Sequence, residues 1–175
     1  MFNSFRPEDD DLLSEDDPNS PVVNNRANWI FPIRGDEGAI SSGYGPRRHP
    51  VTGAERSSHT GLDVGAEEGT AIYAAADGRV KRAEFSSGGY GNLIVVEHAN
   101  GVETWYAHCL DFSVFQGDQV LKGQSIGRVG STGRSTGPHL HWEVRVNGKP
   151  VDPQKWLSDV DKASRNQSPE QALEY

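Results

Sequence analysis

His139-Leu140-His141-Trp142-Glu143-Val144-Arg145-Val146 alternates residue by residue. Successive side chains of an extended chain point to opposite faces. Leu140, Trp142 and Val144 therefore share an apolar face that belongs on a core, and His139 and His141 project from the other, where a groove can lie. Working outward, Leu93-Ile94-Val95-Val96 is a β-branched run set between Gly91-Asn92 and Asn100-Gly101. Ala71 to Ala74, Gly78-Arg79-Val80, Thr104-Trp105-Tyr106 and Ser125-Ile126 read as further strands. Turns at Asp77-Gly78, Gly88-Gly89, Asn100-Gly101 and Asn147-Gly148 separate them at the spacing of an antiparallel sheet or sandwich. One short helix is expected near the end, with Asp152 as its N-cap, Pro153 as its first residue, and Trp156 and Leu157 packing inward. The chain is thus mainly β.

All 20 glycines lie between Gly35 and Gly148, which sets the limits of the folded part of the 175-residue chain. The expected organisation is an acidic, disordered arm over residues 1–29, one domain over 30–153, and a short helix with a polar tail over 154–175. The arm carries seven acidic side chains against Arg6 and Arg26. It has too little apolar surface to offset the entropy of ordering, and serves as a solubilising tail or as a docking arm for a protein assembly partner. A net charge of -8 argues against a nucleic-acid binder, which needs a basic face. No apolar run approaches the ~20 residues of a membrane span, and the acidic start lacks the basic and apolar regions of a signal peptide. The single cysteine, Cys109, cannot form an internal disulfide, so a core or a metal must hold the fold.

Imidazoles recur at strand spacing. In His59-Thr60-Gly61-Leu62-Asp63 an extended chain puts His59, Gly61 and Asp63 on one face. His139 and His141 share another, and Trp105-Tyr106-Ala107-His108 ends a strand on a third imidazole. Two histidines and one aspartate make a zinc set that leaves a position open for water. Two further imidazoles, with ordinary pKa values of about 6.5, suit proton transfer at neutral pH. Spacing alone leaves open which imidazoles bind the metal.

The segments Arg47 to Gly53, His59 to Asp63, Gly69-Thr70, Asp77 to Val80, Tyr106-Ala107-His108 and Gly130 to Glu143 resemble the lysostaphin-type (LytM-domain) zinc endopeptidases of peptidoglycan. The likeness covers about Phe31 to Pro153. It implies an antiparallel β-sheet with a metal-containing groove, one zinc ion held by His59, Asp63 and His141, and His108 and His139 as catalytic imidazoles. It also implies peptidoglycan peptides as substrate and the cell wall, in periplasm or outside the cell, as the place of action. Without a visible signal peptide, delivery in a phage particle or by a secretion machine, or a trimmed chain, is expected. The Gly130 to Gly137 loop is either a grip for a peptide main chain or a plain turn.

The chain departs from the pattern in two places. Members that cut glycine bridges carry a tyrosine shortly before the first ligand; Gly53 to Ser58 has none, and Tyr44 is the nearest. Arg47 to Gly53 instead resembles members that cut D-alanyl–diaminopimelate cross-links, with Arg48 or Arg134 as candidate charge donors. Cys109 stands where an apolar residue is usual, and is expected to be a small buried hydrophobe rather than a ligand. His98 is expected to be structural and His49 to lie in a surface loop. A catalytically silent regulator or a virion structural component is the alternative, and an intact set of five side chains argues against the silent form.

Overall fold

The computed structural model describes residues 29–48 and 55–157. The expected arm up to residue 28, the tail from 158, and His49 with its loop lie outside the described residues. The strands are β1 (Gly38–Ser42), β2 (Gly45–Arg48), β3 (Glu55–His59), β4 (Leu62–Ala66), β5 (Ala71–Tyr73), β6 (Gly78–Ser86), β7 (Gly91–Glu97), β8 (Val102–Phe112), β9 (Gln119–Val120), β10 (Ser125–Val129), β11 (His139–Val146) and β12 (Lys149–Val151). Ten form one antiparallel sheet with the central order β1-β4-β11-β8-β7-β6-β9. Beside this path β12 pairs with β11, and β10 joins β5 to β8, while β2 and β3 form a separate hairpin.

The alternation of β11 decides its two faces as expected. Leu140, Trp142, Val144 and Val146 enter one core with Val64 of β4, Ile94 and Val96 of β7, Tyr106 of β8 and Ile126 of β10. One face of the whole sheet therefore wraps a single apolar interior. β7 is buried on both sides: Leu93 and Val95 join Ala107, Tyr90 and Trp105 in a smaller cluster on the opposite face. Ala107 is the cross-strand partner of His141, and His141 of Asp63, so this second face carries the histidines.

Two local readings are corrected. β8 does not end at His108 but continues to Phe112. Asn92 opposes Cys109 while Ile94 opposes Tyr106, so Ala107 and His108 together face the single residue Leu93. This is a β-bulge, with His108 at φ 62°. The extra residue puts Ala107 and His108 on the face that carries the other histidines and returns Cys109 to the core, where it is fully buried. Past the bulge β8 also changes neighbours. Its pairing with β11 stops at Ala107, and Cys109 pairs with Val129 of β10 on that side. The loop from Gly130 to Pro138 joins β10 to β11 across this fork.

The second correction concerns His59 to Asp63, which is not one extended run. The chain leaves the β2–β3 hairpin at His59, bends at Gly61 and enters the main sheet at Leu62. It passes so close to β11 that a Cβ on Gly61 would lie 2.3 Å from the Trp142 carbonyl oxygen. His59 and Asp63 meet across this bend rather than by alternation. At the other end a 3-10 turn, Pro153–Trp156, starts on the Asp152 side chain, which accepts from the Gln154 N–H at 3.0 Å. No helix among the described residues is long and apolar enough to cross a membrane.

Candidate metal centre

The fork in the sheet gathers all five expected side chains. Asp63 and His141 are direct partners in the β4–β11 ladder. His59 comes in from the hairpin, His139 starts β11, and the bulge turns His108 toward them. Ring centroids are 5.2 Å apart for His59 and His141, 4.7 Å for His108 and His139, and 6.1 Å for His108 and His141.

Each imidazole has one nitrogen tied down. His59 Nδ1 lies 2.7 Å from Gly43 O, His108 Nδ1 2.7 Å from Thr132 O, and His139 Nδ1 2.9 Å from Gly137 O. A carbonyl oxygen only accepts, so these nitrogens carry the proton and donate. The three Nε2 atoms are the nitrogens that face the centre. His141 is arranged the other way round: Nε2 lies 2.8 Å from Glu143 Oε1 and Nδ1 2.8 Å from Asp63 Oδ1. His59 Nε2 is 3.3 Å from Asp63 Oδ2, and His139 Nε2 is 3.9 Å from Asp63 Oδ1.

One donor atom each from His59, Asp63 and His141 lies within 4.8 Å of the others. Two imidazole nitrogens and one carboxylate oxygen suit zinc, and each histidine's second nitrogen is anchored, as metal-binding histidines require. The donor set therefore fits the ion. Burial opposes charge on Asp63, yet the hydrogen bonds from His141 and His59 hold its carboxyl well below the usual range. Burial likewise opposes charge on His141, but Asp63 and Glu143 raise the imidazole to about 9. Without metal, the centre thus draws in a proton as its cation. His108 differs, because burial lowers it below the ordinary histidine range.

The Gly130 to Gly137 loop turns the Thr132 and Ser135 hydroxyls inward. Thr132 Oγ1 donates to Cys109 O at 2.8 Å and accepts from the Asn92 N–H at 3.0 Å. Ser135 Oγ donates to Gly137 O at 2.7 Å, beside the His139 ring. The loop therefore sets the two imidazoles that lie outside the donor set. It fits against the β6–β7 turn so closely that a Cβ on Gly133, at φ 75°, would lie 2.4 Å from Gly91 N.

The other candidates lie elsewhere. Tyr44 donates its hydroxyl to Pro150 O at 3.2 Å. Arg134 is exposed, and the Arg48 side chain is outside the description. His98 is fixed between Asp77 O at 2.7 Å and Thr104 Oγ1 at 2.8 Å. Sequence reasoning missed Glu143, Tyr90, Thr60 and Arg145, which surround the outer side of His141. The signal for Glu143 was present, since it stands two residues after His141 on the same strand and so on the same face.

An antiparallel β-sheet with a His-Asp-His centre and two further anchored imidazoles defines a zinc metallopeptidase domain. The profile of peptidase family M23 matches residues 57–153, and the chain belongs to that family. It is 55% identical over 114 residues to the DD-carboxypeptidase/endopeptidase Mpg of Neisseria meningitidis serogroup B, covering 65% of this chain and 26% of that protein. It is 46% identical over 110 residues to the peptidoglycan DD-endopeptidase ShyC of Vibrio cholerae, covering 62% and 25%. Among solved structures, a zinc-containing peptidase from Vibrio cholerae superposes with a TM-score of 0.67 at 37% identity, covering 75% of this chain and 40% of that one. The chain spans about a quarter of the length of the curated relatives it matches.

Proposed function

We propose that this chain hydrolyses peptide cross-links of bacterial peptidoglycan, with zinc held by His59, Asp63 and His141 and with His108 and His139 as the catalytic imidazoles. The observation that carries the reading is the convergence of the three donors within 4.8 Å, with two more imidazoles presenting free Nε2 atoms beside them. Zinc in this set supplies a Lewis acid that brings the pKa of bound water to about 7 and polarises a carbonyl.

The chain's own residues do the rest. His108 is kept neutral by burial, and Thr132 O holds its Nδ1–H, so Nε2 is an acceptor at neutral pH. It takes the proton as water oxygen adds to the scissile carbonyl carbon. His139 Nε2 is a second acceptor beside it, and when the C–N bond breaks the proton passes to the leaving amine. Trp105 and Tyr90 pack on each other at 5.4 Å beside the centre, the Tyr90 ring 6.0 Å from that of His141.

The bond assigned is the D-alanyl–diaminopimelate cross-link. Support comes from the Arg47 to Gly53 segment and from the DD-endopeptidase names of the relatives. The site of action is the cell wall, and the arm over residues 1–29 is the proposed contact for an assembly partner.

Replacing His59, Asp63 or His141 with Ala should remove bound zinc and cleavage of purified sacculi together. His139→Ala should keep zinc while turnover falls about 10²-fold or more. Mass spectrometry of the released muropeptides identifies the bond. Full activity in His141→Ala would overturn the ligand set, and loss of zinc in His139→Ala would exchange the two imidazoles.

A further inference from the structure

We propose that Glu143 is a positioning residue for the metal centre: its carboxylate takes the Nε2–H of His141 and so leaves Nδ1, on the Asp63 side, as the nitrogen for the ion. The inference rests on His141 being a ligand, as proposed above.

Glu143 has no exposed surface. A carboxylate withdrawn from water this far is strongly disfavoured unless donors replace its hydration. Four do. Oε1 accepts from Thr60 Oγ1 at 2.7 Å, from Tyr90 OH at 2.8 Å and from His141 Nε2 at 2.8 Å. Oε2 accepts from Arg145 Nε at 2.7 Å. Arg145 is itself held, donating through Nη2 to the Tyr90 hydroxyl at 3.0 Å and lying 3.8 Å over the Trp105 ring.

The geometry does two things for the centre. A carboxylate has no hydrogen to give, so the shared hydrogen sits on Nε2. A neutral imidazole, the form a metal ligand takes, has only that one hydrogen, so the nitrogen it would offer to zinc is Nδ1, which here lies 2.8 Å from Asp63 Oδ1. The same Oε1 also holds Thr60, which lies in the bend between His59 and Asp63. One buried oxygen thus sets the tautomer of one proposed ligand and the path of the segment that carries the other two. His59 is oriented by a backbone carbonyl, which no substitution removes. His141 depends on a side chain, so its orientation can be tested.

The test compares wild type, Glu143→Ala, Glu143→Gln, Tyr90→Phe and His141→Ala. Zinc affinity is read at fixed pH by competition with a chromogenic chelator, and unfolding of the metal-free proteins is followed alongside. Glu143→Ala should bind zinc about 10–100-fold more weakly. Glu143→Gln keeps an acceptor oxygen and should fall between that variant and wild type. Tyr90→Phe removes a different donor from the same oxygen, so it should lower the unfolding midpoint with far less loss of zinc. Long-range ¹H–¹⁵N spectra of zinc-loaded wild type should place the His141 proton on Nε2.

If Glu143→Ala does not fold, Glu143→Gln and the spectra carry the test. A folded Glu143→Gln with wild-type zinc affinity would overturn the proposal and leave Glu143 as a staple, as would a proton on Nδ1. Retained zinc in His141→Ala would instead overturn the ligand assignment itself, and this proposal with it.

Discussion

His108 is a non-glycine residue at φ 62°, a region where the Cβ crowds the backbone and which costs about 1–2 kcal/mol. The bulge that imposes this conformation is what aims the ring at His139 and His141. Two contacts hold it there, the His108 N–H donating to Tyr90 O at 2.8 Å and Nδ1–H to Thr132 O at 2.7 Å. Backbone strain at this residue is thus tied to its proposed chemistry. The tie can be measured with two variants that both lack the ring. Glycine tolerates a positive φ and alanine does not, so His108→Gly should be more stable than His108→Ala by about 1 kcal/mol. Both should lose turnover about 10²-fold or more while keeping zinc. Denaturant titration reads the first difference and muropeptide release the second. Equal stabilities would mean that the bulge relaxes when the ring is gone.

Between elements, the clearest titratable group away from the centre is His98, at the end of the β7 strand. Burial pushes its imidazole below the ordinary histidine range, while Asp77 and Glu103 pull the other way without cancelling the effect. The neutral ring donates from Nδ1 to Asp77 O and accepts from the Thr104 hydroxyl. Since the folded protein prefers the neutral form, this contribution to stability is complete above the unfolded value of about 6.5. It is lost as pH falls through the lowered folded value. The unfolding midpoint of wild type should therefore drop as pH falls below 6.5, and His98→Gln should show a shallower drop from a lower start. A parallel pair of curves would show that other groups set the acid limit. The elements themselves were largely legible in the sequence. The β11 alternation, the β-branched run of β7 and the Asp152-Pro153 start all have local causes, and each appears where local chemistry puts it. The bulge at His108 was not legible, because it exists only through the register of β7 against β8. The ring of donors on Glu143 was missed for a similar reason. Tyr90 and Thr60 stand 53 and 83 residues away in the chain, and only the sheet brings them together.

At the scale of the whole molecule, the centre is assembled from segments between His59 and His141, while the two ends of the described chain close on each other elsewhere. Trp29 forms a parallel bridge with Leu157 and packs on Trp156 and His98 with ring centroids 5.0 Å and 4.9 Å away. Trp156 is fully buried. Removing its indole leaves a cavity that the sheet, hydrogen-bonded on both sides, cannot readily collapse into. Trp156→Ala should then cost about 3–5 kcal/mol, read as a fall in the unfolding midpoint. Among the described residues, the hydrogen bonds that orient His59, Asp63, His108, His139 and His141 run to Gly43, Thr132, Gly137 and Glu143 and to one another, and not to Trp29, His98 or Trp156. Zinc affinity measured well below the new midpoint should therefore match wild type, and so should turnover. Loss of zinc affinity while the variant is still folded would mean that the clasp at the chain ends and the fork in the sheet form one mechanical unit. Unchanged affinity would show that the clasp supports the domain as a whole and leaves the geometry of the centre to its own hydrogen bonds.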